Sequence, residues 1–329
     1  MLSNFKGSNK TLIEEALSCG INLVDTIGEK VALLEHDGHF EYIHSRTSSK
    51  TGAFAHIVCK NKELSSEILS RAGISLPKYA SFHSGDFKDG VKFAKSFQWK
   101  VVIKPSDSSG GEGITTLIEN EDDFEAGWKI AGPGKIIIEE KFFGCEYRIF
   151  TTRDRFIAAT LRDPANIIGD GVNTIQGLID KKNADQGRSR EGEIDKPLYF
   201  IKVDETALNF LKKNNLSTES VPDKDQKVYL RENSNLLTGG DSIDVTDEVH
   251  SSVKEICLKA IKSIPALPYA GIDFMTKDIS AVQTQDSYRI LEINSNPGIE
   301  MHHRPMVGTS RNVAREIVGV IFPEVKNEK

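Results

Sequence analysis

The strongest chemical signal in the sequence is a set of three oxygen-bearing side chains towards its C-terminal end. Glu292 and Asn294 alternate with apolar residues in a strand-like run, and side chains two apart on a strand share a face. A second such run, Tyr269–Thr276, contains Asp273, which stands beside them if the two strands pair. Two carboxylates and an amide oxygen suit Mg²⁺. The alternative is a pair of solvated acids at strand ends, although an acid within an apolar strand favours a bound cation.

A loop rich in glycine and serine follows a short apolar run. Residues 104–114 read KPSDSSGGEGI, so backbone N–H groups and hydroxyls can surround an anion beside Lys104. The lysine precedes the glycines, and neither the GxxxxGK[ST] nor the GxGxxG spacing is present. The composition is compatible both with an anion-binding loop and with an ordinary flexible turn.

A third cluster, RENSNLLTGGD at 231–241, combines an arginine with small amides and a Gly-Gly turn. Such a group of donors can hold an oxyanion or a phosphoryl group that is being transferred. The alternative is a polar surface loop in which Arg231 is solvated.

The elements that must position these residues alternate irregularly along the chain. Thr11 followed by Glu14 fits a capping box and predicts a helix starting there. A hairpin is predicted at 30–43 around His36-Asp37-Gly38. Apolar periodicity predicts further helices at 61–72, 86–97, 249–264 and 309–321, and strands at 100–103, 136–138, 147–151, 269–276 and 288–294. Without strict βαβ alternation, this order predicts an α+β fold.

The composition excludes several classes of protein. The 329 residues carry 42 Lys and Arg against 48 Asp and Glu, a net charge of −6, which argues against general nucleic-acid binding. No apolar run approaches the roughly 20 residues of a membrane span, the first residues lack a signal-peptide core, and the four cysteines are scattered. We therefore expect a cytoplasmic protein that acts on small molecules, away from nucleic acid and membranes.

Taken in this order, the three clusters resemble those of the ATP-grasp superfamily. Three longer stretches, ANIIGDGVNTIQGLID, VYLRENSNLLTGGDSIDVTDEVH and EINSNPGIEMHHRP, are similar to two of its branches. These are the glutathione-synthetase module of bifunctional glutathione synthetases and the ATP-grasp domain of cyanophycin synthetase. D-alanine–D-alanine ligases commonly have an arginine two residues before the metal aspartate, where this chain has Gly271, so that branch fits less well.

The resemblance implies an α+β ATP-grasp fold in which the nucleotide lies between two α+β lobes. It predicts a shortened N-terminal lobe at 1–58, a small lobe with the glycine-rich lid loop at 59–142, and a large lobe with the metal site at 143–329. The polar stretch at about 162–230 is then an excursion from the large lobe.

The resemblance also implies roles for individual residues. Two phosphate-contacting lysines, loop residues, two hinge acids and a ribose-binding acid form the ATP-binding set: Lys62, Lys104, Ser109, Gly110, Gly111, Glu139, Glu140 and Glu146. The magnesium ligands are Asp273, Glu292 and Asn294. Arg231 and Asn235 are the catalytic candidates beside the transferring phosphate.

A final set of side chains is expected to bind the substrates themselves. Its members are cationic or imidazole groups suited to anions: Arg148, Arg162, His302, His303 and Arg304. For His302 and His303 the alternative is that they only cover the floor of the pocket.

The activity implied by the resemblance is ATP-dependent amide-bond formation between a carboxylate and an amine through an acyl phosphate. ATP and Mg²⁺ are the expected cofactors, and ADP and phosphate the by-products. The first substrate hypothesis is a glutathione-synthase-like reaction of γ-glutamylcysteine with glycine. The alternative is an amino-acid or dipeptide ligase of a specialised pathway, and a remote alternative is a non-catalytic nucleotide-binding module. A symmetric homodimer is the default oligomer.

Overall fold

The computed structural model describes residues 2–106, 113–185, 187–189 and 198–327. Its helices are α1 (Gly7–Ser18), α2 (Ala53–Lys60), α3 (Lys62–Arg71), α4 (Phe87–Ser96), α5 (Glu121–Ala131), α6 (Ile175–Asn183), α7 (Glu205–Lys213), α8 (Ser251–Ser263), α9 (Glu300–His303) and α10 (Val313–Ile321). Short 3-10 helices lie at Leu2–Asn4, Leu236–Thr238, Thr246–Glu248 and Pro323–Asn327. Within these ranges, no helix has both the length and the apolar character needed to cross a membrane.

The strands form three larger sheets and two short ribbons. In chain order they are β1 (Asn22–Ile27), β2 (Val31–His36), β3 (His39–His44), β4 (Tyr79–His83), β5 (Val101–Pro105), β6 (Lys135–Glu140), β7 (Cys145–Thr152), β8 (Phe156–Asp163), β9 (Asn166–Ile168), β10 (Arg188–Ser189), β11 (Leu198–Tyr199), β12 (Lys227–Tyr229), β13 (Asp241–Asp244), β14 (Tyr269–Thr276) and β15 (Tyr288–Asn294). The mixture of helices with antiparallel sheets confirms the predicted α+β class.

The largest sheet has the order β13-β8-β7-β14-β15, with every neighbouring pair antiparallel. One of its faces is apolar, because alternate residues such as Ile149, Ile272, Phe274 and Ile293 join a buried cluster with α8. The residues between them on each strand therefore face the other way. The strands β14 and β15 pair, which is the condition under which Asp273 stands beside Glu292 and Asn294.

A second sheet, β4-β6-β5, packs against α4 and α5 and precedes the large sheet in the chain. Its core contains the alternate residues Ile136 and Ile138 of β6 together with Phe124 and Trp128 of α5. The opposite side of β6 carries Glu139, which is thereby directed away from this apolar core.

The N-terminal sheet β1-β2-β3 packs with α1 and α10 around a separate apolar cluster. The predicted hairpin is confirmed, because Asp37 and Gly38 both have positive φ (49° and 83°), as a tight hairpin turn requires. The predicted capping box is wrong. Helix α1 already begins at Gly7, and the Thr11 hydroxyl instead donates to Glu300 Oε1 at 2.6 Å.

Helices α2 and α3 contribute side chains to the core of the large sheet. Ala55 and Val58 of α2 and Leu69 of α3 belong to the same buried cluster as α8 and β14. Residue 59, the predicted start of the small lobe, thus lies in α2 and packs against the core of the large sheet.

The polar segment leaves the large sheet after Asp163, the last residue of β8. It builds a small unit from β9 to β12, α6 and α7 around its own apolar cluster, which includes Ile167, Leu211 and Val228. The chain then returns to the large sheet through β13. The last helix starts at Val313, four residues later than predicted at 309, because the Asn312 side chain caps it by accepting from Arg315 N.

Candidate active site

The non-apolar face of the large sheet collects most of the predicted site residues. The register places Glu146 opposite Arg162, Arg148 opposite Asp273, and Asp273 opposite Glu292. All five side chains lie on the face away from α8, because their strand neighbours fill the apolar cluster. Alternation in four neighbouring strands, interrupted by bulges at Asp273/Phe274 and Phe150/Thr151, therefore gathers these charged side chains on one face.

Asp273 lies between two arginines at the centre of this surface. Its Oδ1 is 2.7 Å from Arg148 Nε and its Oδ2 is 3.0 Å from Arg162 Nη2. Burial alone raises the pKa of Asp273, but the two guanidinium groups outweigh it, and the pKa falls below its ordinary value. The carboxylate is therefore ionised at neutral pH.

Glu146 connects this surface to the loop that contains Arg231. Its carboxylate forms an ion pair with Arg162 and accepts a hydrogen bond from the Ser234 hydroxyl. The same loop makes a second contact through Glu232, which pairs with Lys141. The loop is thus anchored at both the sheet face and the segment after β6.

A second buried carboxylate, Glu139, is held by two lysines. Its oxygens lie 3.1 Å from Lys62 Nζ and 2.7 Å from Lys104 Nζ. Burial raises the pKa of Glu139, but the two ammonium groups reverse the shift and lower it to about 2. Burial also lowers the pKa of Lys104. Lys62 further donates to the carbonyl of Leu291, the residue before Glu292, which ties the lysine pair to β15.

Glu140 points to the other side of β6. Its carboxylate accepts from Lys78 N at 3.3 Å and lies 3.9 Å from Arg289 Nη2. Glu140 and Arg289 line a cavity of about 670 Å³ that Lys62 and Asp273 do not reach. The two predicted hinge acids therefore face different surroundings, and Glu139 alone of these two meets the lysines.

Arg231 is buried, with only 3 % of its surface exposed. Its Nη2 donates to the carbonyl of Lys202 at 2.7 Å and lies 2.9 Å from Asp204 Oδ2. A solvated surface loop at this position is therefore excluded. Asn235 accepts from Leu237 N at 2.9 Å and caps the short helix that follows.

The carboxylates of Asp273 and Glu292 with the amide of Asn294 offer an all-oxygen set of ligands. Asp273 Oδ1 is paired with Arg148 Nε, and Asn294 Oδ1 accepts one bond, from Asn296 N at 2.8 Å. No group of three or more His, Cys, Asp or Glu in the described part of the chain could hold a metal. The residues fit Mg²⁺, which takes few protein ligands and completes its shell with water and phosphate oxygens.

The three C-terminal substrate-binding candidates lie in different surroundings. His302 is 1 % exposed, and its Nδ1 is 2.8 Å from Thr160 Oγ1 on the polar face of β8. His303 Nε2 accepts from Ala314 N at 3.0 Å at the start of α10. Arg304 is largely exposed, 4.0 Å from Glu300. The predicted loop residues Ser109, Gly110 and Gly111 lie outside the described residues.

Two residues that contribute to the site, Arg46 and Ser234, are not predicted from the sequence. Arg46 binds the turn after β15, through its backbone N–H to Asn296 Oδ1 (3.1 Å) and its Nε and Nη2 to the carbonyls of Pro297 and Asn296. Ser234 was part of a recognised motif but carried no assigned role. No local signal identifies Arg46, because its partners lie some 250 residues away in the chain.

Many polar atoms of this region are buried without a hydrogen-bond partner. Such atoms are costly in a folded protein and mark places where a ligand or water completes the bonding. At the site, those that also lie outside the ion pairs given above are Arg148 Nη1, Arg162 Nε, Arg231 Nε, Glu232 Oε2, Asn233 Oδ1 and His302 Nε2.

Comparison with characterised proteins identifies relatives over nearly the whole chain. The glutathione biosynthesis bifunctional protein GshAB of Clostridium perfringens is 34% identical over 323 residues, 96% of this chain and 41% of its own length. Cyanophycin synthetase of Synechocystis sp. is 32% identical over 321 residues, 96% of this chain and 36% of its own. The chain thus spans about two fifths of these relatives. No protein-family model matches it.

Comparison with solved structures identifies proteins with the same fold. The bifunctional glutathione synthetase of Pasteurella multocida superposes with a TM-score of 0.74 at 31% identity, covering 98% of this chain and 44% of that one. D-alanine–D-alanine ligase of Bacillus anthracis, at 14% identity, shares the fold with a TM-score of 0.50 over 84% of this chain and 70% of that one. The chain belongs to the ATP-grasp superfamily and is homologous to part of the bifunctional glutathione synthetases and of cyanophycin synthetase.

Proposed function

We propose that this chain is an ATP-dependent ligase that joins a carboxylate to an amine and releases ADP and phosphate. The observation that carries the proposal is the polar sheet face, where Asp273 stands opposite Glu292 and next to two arginines. The lysine pair Lys62 and Lys104 is tied to the same strand through Leu291. The homologous ligases supply independent support.

The chemistry explains why such a site needs so many charges. A carboxylate acylates an amine only after activation, because its own leaving group would be an oxide. In the proposed reaction a carboxylate oxygen attacks the γ-phosphorus of ATP, and ADP leaves. The amine nitrogen then attacks the carbonyl of the acyl phosphate, phosphate leaves with the bonding electron pair, and the nitrogen loses a proton. The first step brings a carboxylate against a polyanion, so cations must offset the repulsion.

Each of these charged or polar side chains has a proposed role in the reaction. We assign the phosphates of ATP to Lys62 and Lys104, which exchange the carboxylate of Glu139 for phosphate oxygens. Arg231 and Asn235 are assigned to the surroundings of the transferring phosphate. Mg²⁺ bound by Asp273, Glu292 and Asn294 would supply charge neutralisation at the phosphate oxygens.

The remaining nucleotide contacts follow the predicted lobes. We assign the adenine to the segment of Glu139 and Glu140, where the chain crosses from the small lobe (59–142) to the large lobe (143–329). The ribose is assigned to Glu146. In this proposal residues 1–58 form the shortened N-terminal lobe and leave the nucleotide to the other two.

The first substrate hypothesis is γ-glutamylcysteine with glycine. It rests on the identity with proteins named for glutathione biosynthesis. The second is an amino-acid or dipeptide ligase of a specialised pathway, which the similar identity to cyanophycin synthetase supports. The non-catalytic module is disfavoured, because the lysines, arginines and carboxylates that the ligase scheme requires are all present in the described part of the site.

The test is phosphate release by the purified protein with Mg²⁺, ATP and pairs of amino acids or dipeptides. Release that depends on γ-glutamylcysteine and glycine together supports the first hypothesis, and release with another pair supports the second. ATP binding without release for any pair would contradict the ligase proposal. A Glu292→Gln protein serves as the matched control, since it keeps the fold and loses a metal-binding carboxylate.

A further inference from the structure

One arginine of the polar segment between β8 and β13, Arg188, is buried completely. Its side chain has no exposed surface, and its Nη2 forms an ion pair with the carboxylate of Asp241, which is also buried. Lys182 Nζ lies 2.6 Å from the second oxygen of the same carboxylate. A buried ion pair adds little net stability, because the loss of water offsets the attraction between the charges. The groups that Arg188 holds in place are therefore the better guide to its role.

Arg188 binds carbonyl groups of two separate segments of the chain. Its Nη1 donates to the carbonyl of Tyr199 at 2.6 Å and to the carbonyl of Gly239 at 3.2 Å. Tyr199 is the last residue of β11, whereas Gly239 follows the short helix Leu236–Thr238. One guanidinium thus joins β11 to this turn and, through Asp241, to the first residue of β13.

The turn at Gly239 belongs to the same short helix as Asn235. The Asn235 side chain caps the start of this helix by accepting from Leu237 N at 2.9 Å. Gly239 ends the helix with a φ of 99°, and its N–H donates to the carbonyl of Leu236 at 3.1 Å. Only three helical residues separate the two caps. A change that releases the Gly239 carbonyl is therefore expected to move the Asn235 side chain as well.

The segment that follows β11 holds the other catalytic candidate, Arg231. Its Nη2 donates to the carbonyl of Lys202 at 2.7 Å. Ile201, the residue before Lys202, packs tightly on Gly239, because a Cβ at residue 239 would lie 2.5 Å from Ile201 Cα. Arg188 binds a carbonyl on each side of this contact. It thereby ties the segment that holds Arg231 to the turn that follows Asn235.

We propose that Arg188, paired with Asp241, is a positioning residue that fixes the place of Asn235 relative to Arg231. The inference rests on the proposed ligase function, in which Asn235 and Arg231 surround the transferring phosphate. Arg188 has no assigned contact with the reactants and acts through the carbonyl groups that it binds. A displacement of about 1 Å at a catalytic group can lower the rate about 100-fold, so the effect is expected in kcat.

The test measures kcat for phosphate release with the active substrate pair, together with the affinity for a fluorescent ATP analogue. Arg188→Met removes the ion pair and both carbonyl contacts, so kcat should fall about 10- to 100-fold while ATP affinity, which we assign to Lys62 and Lys104, stays within a factor of about two. Lys227→Met is the matched control, because Lys227 pairs with Asp163 in the same polar segment, and it should leave kcat unchanged. An unchanged kcat in Arg188→Met, or equal losses of kcat and ATP affinity, would overturn the proposal.

A double-mutant cycle identifies the residue through which Arg188 acts. In an Asn235→Ala protein, Arg188→Met should lower kcat only about threefold or less, because the side chain that it positions is already absent. Equal losses in the two backgrounds would show that the two residues act independently and would overturn the proposal. Arg188→Lys keeps a charge beside Asp241 and should restore part of kcat. It replaces Arg188→Met in the cycle if circular dichroism shows that Arg188→Met does not fold.

The positioning role can be tested separately if no substrate pair releases phosphate and the ligase proposal fails. Hydrogen exchange of the folded protein then reports on the amides of Leu237 and Gly239, which donate within the short helix. The Arg188 variant that folds should speed exchange at both amides about 10-fold, without a comparable change in β14. Faster exchange confined to the turn supports the positioning role. Unchanged exchange there, or an equal increase in β14, overturns it.

Discussion

Two buried carboxylates of this protein are each held by two cations, but the cations differ. Glu139 lies between Lys62 and Lys104, whereas Asp273 lies between Arg148 and Arg162. An ammonium group is a compact charge on a flexible stem, and burial changes its pKa readily. A guanidinium stays charged and can contact two carboxylates at once, as Arg162 Nη2 does with Glu146 and Asp273.

Because of this difference, we expect the lysine pair and the arginine pair to have different functions in the site. In the proposed function the lysines exchange Glu139 for an incoming phosphate, and their flexible stems allow this without a change in the sheet. The arginines are part of the sheet face and keep Glu146 and Asp273 in register. We therefore expect the lysine pair to determine nucleotide affinity and the arginine pair to determine the geometry at the metal-binding acids.

The largest effect is expected at the two acids that we propose as metal ligands. Glu292→Gln should lower turnover about 10²–10³-fold with little change in stability, because Glu292 is exposed. Asp273→Asn should lower turnover as much and also cost about 3–5 kcal/mol in the free energy of unfolding, because it leaves the buried guanidinium of Arg148 without a carboxylate and Arg162 with Glu146 alone. Phosphate release and denaturant unfolding measure the two quantities. Equal stability of the two variants would contradict the structural role of the arginine pair.

The lysine pair should give the next largest effect. Lys104→Met is expected to weaken ATP binding about 10- to 100-fold, because it removes one phosphate-contacting charge and leaves Glu139 with Lys62 alone. Titration with a fluorescent ATP analogue provides the measurement. Lys95→Met, which removes an exposed ion pair with Glu121, is the control and should leave the affinity unchanged.

A conservative exchange in the arginine pair should have a smaller effect. Arg162→Lys retains the charge but loses the planar guanidinium whose Nη2 contacts both Glu146 and Asp273, so kcat should fall roughly 3- to 10-fold while ATP affinity stays within a factor of about two. Arg71→Lys at the exposed end of α3 is the control. If ATP affinity falls and kcat does not, the division of roles between the two pairs is wrong.

The smallest effect is expected in the response of stability to acid. The pKa of Glu139 is about 2 in the folded protein, below its ordinary value near 4.5, so this carboxylate stabilises the fold above pH 4.5. That contribution is lost as the pH falls from about 4.5 to about 2. Glu139→Gln should therefore flatten the decline in the free energy of unfolding over this interval. A decline parallel to that of the unmodified protein would show that the lysines do not hold Glu139 ionised.

Apolar patterning in the sequence predicts three of the five strands of the large sheet, β7, β14 and β15, but neither β8 nor β13. The strands of Asp273 and Glu292 are marked by apolar residues, and the sequence analysis makes the position of Asp273 conditional on their pairing, which the structure shows. The shared face of Glu292 and Asn294 followed from their spacing alone. The motifs then indicated the ATP-grasp fold that the structural relatives confirm.

Contacts between distant residues could not be predicted in this way. The convergence of Lys62 and Lys104 on Glu139, and the passage of Arg148 over Gly271, depend on how strands and lobes pack in three dimensions. The wrong capping box shows the same limit. Thr11 has the right local spacing, but its hydroxyl donates to Glu300, a residue 289 positions away, and the helix begins a turn earlier.

The hydrogen bonds of Arg46 to the turn after β15 have a consequence for the order in which parts of the protein can fold during synthesis. Arg46 leaves the ribosome about 250 residues before Pro297, whose carbonyl its Nε binds. The apolar cluster of the N-terminal sheet also cannot be completed before α10, which packs in the same cluster, has been synthesised. Contacts between residues so far apart in the sequence form late and slow the folding of the protein. Nascent chains that have not yet released their last helix should therefore lack a finished site, and chaperone contacts during translation should fall on the N-terminal sheet.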